Sequence, residues 1–105
     1  MKICITAQGP TLDSVFEHHF ARAPYFIFHD TKTGRSEGVR NGFVISDSGI
    51  GRNAVDLLKM NGIKAVITGE IGDNARALLN GSGILTLVFT GTGSAADALE
   101  AMMPG

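Results

Sequence analysis

The chain has a single cysteine, Cys4, in 105 residues. One thiol excludes a disulfide within the chain and any metal site made of cysteines alone. Cys4 stands inside a β-rich apolar run, where a free cysteine acts as a small buried hydrophobe. Long hydrophobic runs are missing too. The opening MKICITAQ carries one lysine and a very short apolar stretch, so it reads as neither a signal peptide nor a membrane span. The expected location is cytoplasmic, with no membrane partner. Basic residues are few and unevenly placed. Residues 1–64 hold eight Lys/Arg against six Asp/Glu, and residues 65–105 hold Arg76 alone against four acids. The formal net charge is −1, without the concentrated basic stripe that nucleic acid requires. Side chains that attract an anion therefore come mainly from the first two-thirds.

Missing motifs narrow the chemistry further. The first predicted strand, KICITA, contains no acid, and Asp30, Asp47 and Glu70 are scattered over separate segments. A two-metal nuclease needs clustered carboxylates, so that activity is rejected. No turn reads G-x-x-x-x-G-K-[ST], which excludes a P-loop. The pairs Gly49-x-Gly51 and Gly91-x-Gly93 have Ala54 and Ala96 where a dinucleotide fingerprint places its third glycine, which leaves that signal weak. No Ser/His/Asp set is visible by spacing. Met60, Met102 and Met103 fall at helical positions and read as core.

What is present is an ordinary globular composition, 44% hydrophobic and 18% charged, in a length that makes one domain over residues 1–105. Residues 2–7 and 24–30 read as strands, with the turn TKTG (31–34) leading to a weaker strand over 36–45. Residues 11–22 read as a loop or short helical turn. From residue 48 the pattern alternates. A helix stops at Asn61-Gly62, a strand covers 63–68, a helix covers 74–79 and stops at Asn80-Gly81, a strand covers 84–89, and a helix covers 95–103. Ser94 and Asp97 form a capping-box-like start for the last helix. GIKAVITGEIGDNA (62–75) and GILTLVFTGTGSAA (83–96) are two copies of a weak internal repeat. Continuous apolar strands alternating with helices imply parallel strands covered on both faces. The expected fold class is therefore α/β, a ribonuclease H-like three-layer α/β/α arrangement with a mixed five-stranded sheet.

The pentapeptide Ile-Gly-x-Asn-Ala occurs at Ile50–Ala54 and again at Ile71–Ala75, each time at a helix start. Three glycine-rich turns lead into helices: Ser48–Gly51, Gly69–Gly72 and Gly91–Gly93. Glycine permits close approach of backbone to a ligand, and the first turn of a helix offers unpaired N–H groups at its positive end. Ser48, Gly49, Gly51, Gly69 and Gly72 are thus candidates for an anion seat, with Asn53 and Asn74 as amide donors. Such turns also serve chain reversal alone in proteins that bind nothing there. HHFARAPYF (18–26) places His18, His19 and Arg22 just before a strand. Imidazole suits a metal and arginine an anion. Adjacent histidine side chains diverge, so one is the candidate ligand and the other is expected to face solvent; both can equally be surface loop residues. His29 is expected to be structural or exposed.

HFARAPYFIFHD resembles the H-F-G-R-A-P-Y-F stretch of the dinitrogenase iron–molybdenum cofactor-binding family, and VITGEIGDNARALL is similar to its V-I-x-G-x-I-G-x-N-A segment. GIGRNAVDLL fits the small-residue turn and helix between them. The resemblance spans nearly the whole chain. The short length also resembles the orange-protein branch, whose members carry a molybdenum–copper sulfide cluster. The resemblance implies a ribonuclease H-like fold and a small carrier or chaperone of an anionic metal–sulfur cluster, not an enzyme. It implies His19 and Arg22 as matches of the family histidine and arginine, with His19 as the metal ligand. It also implies Gly69, Ile71, Gly72 and Asn74 as matches of the second motif. Ala21 replaces the motif glycine, and the turn SDSGIG (46–51) lacks the histidine that many members carry there. Glycine turns, helix starts, Arg22 or Arg52, and an apolar wall of Phe20, Ile50 and Ile71 would suit such a cluster, which must bring most of its own sulfur.

The leading expectation is noncovalent binding of a molybdenum-containing metal–sulfur cluster, of Mo–Cu sulfide or Fe–Mo type, with a cluster donor or acceptor protein as a further partner. A regulatory module that binds a phosphate-bearing small molecule at the same turns, and a ligand-free protein-interaction module, are the alternatives.

Overall fold

A computed structural model describes residues 1–42 and 50–103. The run KICITA forms the central strand β1 (Lys2–Ala7), in which every residue after Lys2 is buried. A continuous apolar run is what a strand covered on both faces requires. β2 (Tyr25–Asp30) pairs antiparallel with β1, and β3 (Ser36–Arg40) pairs antiparallel with β2. On the other side, β4 (Ile63–Thr68) pairs parallel with β1, and β5 (Leu85–Val88) parallel with β4. The sheet order is β3-β2-β1-β4-β5. Among the described residues there are three helices: α1 (Ile50–Met60), α2 (Asp73–Gly81) and α3 (Ala95–Met102). The expected α/β class and mixed five-stranded sheet are observed.

Alternation along the strands sorts the core into two clusters. Cys4, Phe26, Phe28 and Val66 pack with Ala54, Val55 and Leu58 of α1 and with Ala75 and Leu79 of α2. Ile3, Ile5, Ala7, Ile27, Ala65 and Ile67 pack on the opposite face with Ala95 and Ala98 of α3. Successive strand residues point to opposite faces, so one run feeds both cores. α1 ends where β4 begins, and α2 begins where β4 ends. Both helices therefore start at the carboxyl end of the parallel strands.

Five elements differ in their bounds from the sequence reading. β2 starts at Tyr25 and not at Pro24. β3 stops at Arg40, and the remainder of the expected strand, 43–45, lies outside the described residues. β5 is trimmed to Leu85–Val88 and α3 ends at Met102. α2 runs through Asn80-Gly81, and the left-handed glycine that ends this unit is Gly83, with φ 74°. Gly62 has φ 71° at the matching place in the first copy of the repeat. The capping box is complete: Asp97 N–H donates to Ser94 Oγ at 3.1 Å, and Ser94 N–H donates to Asp97 Oδ2 at 2.9 Å. No helix among the described residues is long and apolar enough to cross a membrane.

The segment 11–23 is neither helix nor free loop. It is stitched across the carboxyl ends of the strands. Glu17 N–H donates to Thr6 C=O at 3.0 Å, and the Thr6 hydroxyl donates to Glu17 C=O at 2.6 Å. Phe16 N–H reaches Gly93 C=O at 2.9 Å, and Phe20 N–H reaches Glu70 C=O at 3.0 Å. A single isolated parallel bridge joins His19 to Glu70.

Candidate functional site

The bridge between His19 and Glu70 brings the two sequence motifs into contact. Gly69 N–H donates to His18 C=O at 3.1 Å, and Glu70 N–H donates to the same oxygen. This approach requires glycine at position 69. A Cβ there would lie 2.7 Å from the His18 carbonyl oxygen and 2.9 Å from its Cα. Gly69 thus serves the contact between the two chain segments. Gly72 is the opposite case, because a Cβ there would meet nothing within 4 Å.

A cleft of about 310 Å³ opens beside this junction, lined by His19, Phe20, Ala21, Arg22, Glu70, Ile71 and Gly72. Its floor is apolar. Phe20 is buried, with its ring 5.7 Å from that of Phe26, and Ile71 is half-buried against the same core. Its rim is polar. Gly72 is the N-cap of α2 and offers no side-chain cap, so the first N–H groups of the helix are left for solvent or a ligand. Arg22 is exposed and makes no ion pair among the described residues. Asn41, buried, holds this rim from behind: its Nδ2 donates to Ala21 C=O at 3.1 Å and to Ala23 C=O at 2.9 Å.

Both ring nitrogens of His19 face carboxylates. Nδ1 is 3.1 Å from Glu17 Oε2, and Nε2 is 3.1 Å from Glu70 Oε2. The two partners are unlike. Glu17 is 17% exposed, also accepts from His19 N–H at 3.0 Å, and is held by Gln8 Nε2 at 3.3 Å. The Glu70 side chain is 79% exposed, and its carboxylate meets the His19 ring. Burial raises the Glu17 carboxyl, but the hydrogen bonds from the His19 backbone, the His19 ring and Gln8 outweigh it and hold Glu17 below the usual carboxylate range.

His18 points elsewhere. Its Nε2 donates to Gly91 C=O at 2.8 Å, and its ring meets Phe16 edge-on at 4.9 Å. The diverging histidines are as expected, but the second is half-buried and structural instead of solvent-facing. Through it the third glycine turn, 91–93, is tied to the α3 side of the sheet and does not line the cleft. His29 donates to or accepts from Ser36 Oγ at 2.7 Å, a structural role.

Of the expected site residues, the fold gathers His19, Phe20, Arg22, Ile71 and Gly72 around one cleft. Gly69 stands behind it, and Asn74 is exposed in the first turn of α2 without lining it. Ile50, Gly51 and Arg52 form the first turn of α1, and the side chains of Ile50 and Arg52 lie outside the described residues, as do Ser48 and Gly49 altogether. Glu17, Asn41 and Glu70 were not among the candidates. Glu17 was legible as the residue two before His19, on the same side of an extended segment, and Glu70 as the one residue between Gly69 and Ile71. Nothing in the sequence marks Asn41. A larger open cleft of about 700 Å³ lies at the other end of the sheet, lined by Lys2, Asp30, Arg35 and Glu37 among others. It mixes both charge signs and sits at the amino end of β1, away from the helix starts, so the smaller cleft is the better candidate.

The profile of the dinitrogenase iron-molybdenum cofactor family matches residues 1–105. The chain belongs to that family. Among solved structures it is similar to the apo form of the orange protein from Desulfovibrio gigas, with 29% identity over 94% of this chain and 83% of that one, at a TM-score of 0.84. It is also similar to a putative NifB protein from Thermotoga, with 32% identity over 99% of this chain and 88% of that one, at a TM-score of 0.87. A search of curated proteins finds no match.

Proposed function

We propose that this family member is a noncovalent carrier of an anionic molybdenum-containing metal–sulfur cluster, of Mo–Cu–S or Mo–Fe–S composition, and not an enzyme. The observation that carries this reading is the convergence of His19, Arg22 and the uncapped start of α2 on one cleft with an apolar floor. Backbone N–H groups and a guanidinium suit an anion, and an apolar floor suits weakly accepting sulfides. Glu17 holds Nδ1 as the protonated nitrogen and directs Nε2 toward the cleft, the arrangement of a ligating histidine. The residues fit such a cargo in one further respect. Cys4, the only thiol, is fully buried in β1, and burial pushes it well above its ordinary range, so it supplies no thiolate. The cluster therefore brings its own sulfur, and a donor or acceptor protein exchanges it at the open side of the cleft.

Reconstitution of the apoprotein with tetrathiomolybdate, with and without copper or iron, tests the proposal. A coloured, stoichiometric complex that survives gel filtration is the expected result. The uncapped helix start and Arg22 equally suit a phosphate group, which keeps a phosphate-bearing small molecule as the second reading. Calorimetry separates the two: heat with nucleotides or sugar phosphates and none with thiomolybdate reverses their order.

A further inference from the structure

The proposed carrier role leaves Glu70 unexplained, because a carboxylate on the rim of an anion seat opposes the cargo. We propose that Glu70 and His19 form a two-donor seat for one divalent transition-metal ion, with Glu17 as the residue that positions the imidazole. Nε2 of His19 and Oε2 of Glu70 are 3.1 Å apart on the cleft side. With metal–donor distances of about 2.0–2.1 Å, that separation corresponds to an angle of about 100° at the ion, between the octahedral and tetrahedral values. The ion sits between the Nε2 lone pair and the Glu70 carboxylate.

Backbone geometry sets the spacing in advance. His19 and Glu70 face each other across a parallel bridge, flanked by the Gly69 and Phe20 hydrogen bonds. Their Cα positions are fixed by that bridge, and no Cβ at position 69 could be fitted into it. Glu17 accepts from both the backbone and ring N–H of His19, so the proton stays on Nδ1 and the lone pair of Nε2 faces Glu70. This is the carboxylate–histidine–metal relation in which an outer partner fixes the tautomer. Glu17 is the more firmly held of the two carboxylates, because it is the more buried and is bonded by the His19 backbone N–H, the His19 ring and Gln8 Nε2.

Among the described residues no group of three or more His, Cys, Asp or Glu side chains converges on a metal position. The seat therefore has two protein donors and keeps its remaining positions open to water or to sulfur from a cargo. Imidazole with carboxylate selects ions of the zinc, copper and nickel type over calcium or magnesium.

The site shares His19 with the proposed cluster seat, but its test uses a free ion and stands apart from the cluster. Zn(II) is titrated into the apoprotein by calorimetry, and the ring nitrogens of the three histidines are followed by ¹⁵N NMR. The expected result is one equivalent, with the His19 Nε2 resonance moving, Nδ1 remaining protonated, and His18 and His29 unmoved. Glu70→Ala is expected to weaken binding at least about tenfold, and Glu17→Gln by about 10–100-fold, as for outer partners of metal-bound histidine. His19→Ala loses the equivalent, and His29→Ala keeps it. Unchanged amide spectra elsewhere confirm the fold of each variant. Binding of equal strength in Glu70→Ala, metal on Nδ1, or a first equivalent at His29 overturns the proposal, whether or not the protein takes up thiomolybdate.

Discussion

His19 stands between Glu17 and Glu70, with 3.1 Å from Nδ1 to one carboxylate and 3.1 Å from Nε2 to the other. Glu17 comes from the segment that crosses the strand ends, and Glu70 from the turn between β4 and α2. The histidine is thus the point where the two family motifs are joined, and its surroundings make separate predictions for separate residues.

The two glycines of the Gly69–Gly72 turn are expected to behave in opposite ways. Gly69→Ala drives a Cβ against the His18 backbone, which cannot swing away as a side chain can. A loss of about 1–3 kcal/mol is expected, the usual range for overpacking, measured by urea denaturation. Gly72→Asp meets open space, at an N-cap with φ −66° and ψ 155° that any residue adopts. Aspartate is a preferred N-cap, so this variant should be as stable as the parent or slightly more so. It also places a negative charge at the mouth of the seat and is expected to abolish cluster uptake.

Glu17 makes stability depend on pH. Its carboxyl lies below the usual range in the folded protein, so the folded state binds that proton less readily than the unfolded chain. The resulting stability is present above the ordinary glutamate value of about 4.3 and is lost as pH falls through the lower folded value. Denaturation midpoints measured across that window should fall less steeply in Glu17→Gln than in the parent. Parallel curves would contradict this role.

Asn41 is a fully polar side chain inside the protein, donating to two carbonyl oxygens of the Ala21–Ala23 stretch. Asn41→Ala leaves these carbonyls without that donor. A cost of about 1–3 kcal/mol is expected in urea, the penalty for unsatisfied buried polar groups. Because the same bonds hold the backbone that carries Arg22, faster amide exchange at residues 21–23 should accompany the loss.

The alternating half of the fold was readable because its periods are clean. IKAVIT gave β4 to the residue, and Ser94 with Asp97 marked the start of α3. The repeat also held the correct stop for α2: Gly83 matches Gly62, and both take the left-handed conformation, whereas Asn80-Gly81 only imitates the Asn61-Gly62 signal. Segment 11–23 was not readable as structure. Its order comes from long-range backbone bonds to Thr6, Glu70 and Gly93, which leave no hydrophobic period behind. For the same reason the sequence pointed to His19 and Gly72 but hid the pairing of His19 with Glu70. The twin Ile-Gly-x-Asn-Ala turns suggested one shared seat. Of the two, the second lines the cleft with Ile71 and Gly72.

The most direct measurement is uptake of tetrathiomolybdate, with copper or iron, by the parent protein and by Gly72→Asp side by side. The account predicts a coloured one-to-one complex that travels with the parent on gel filtration, and a folded Gly72→Asp protein that emerges colourless. A parent that emerges colourless under every metal combination, or a folded Gly72→Asp protein that retains the colour, would contradict it.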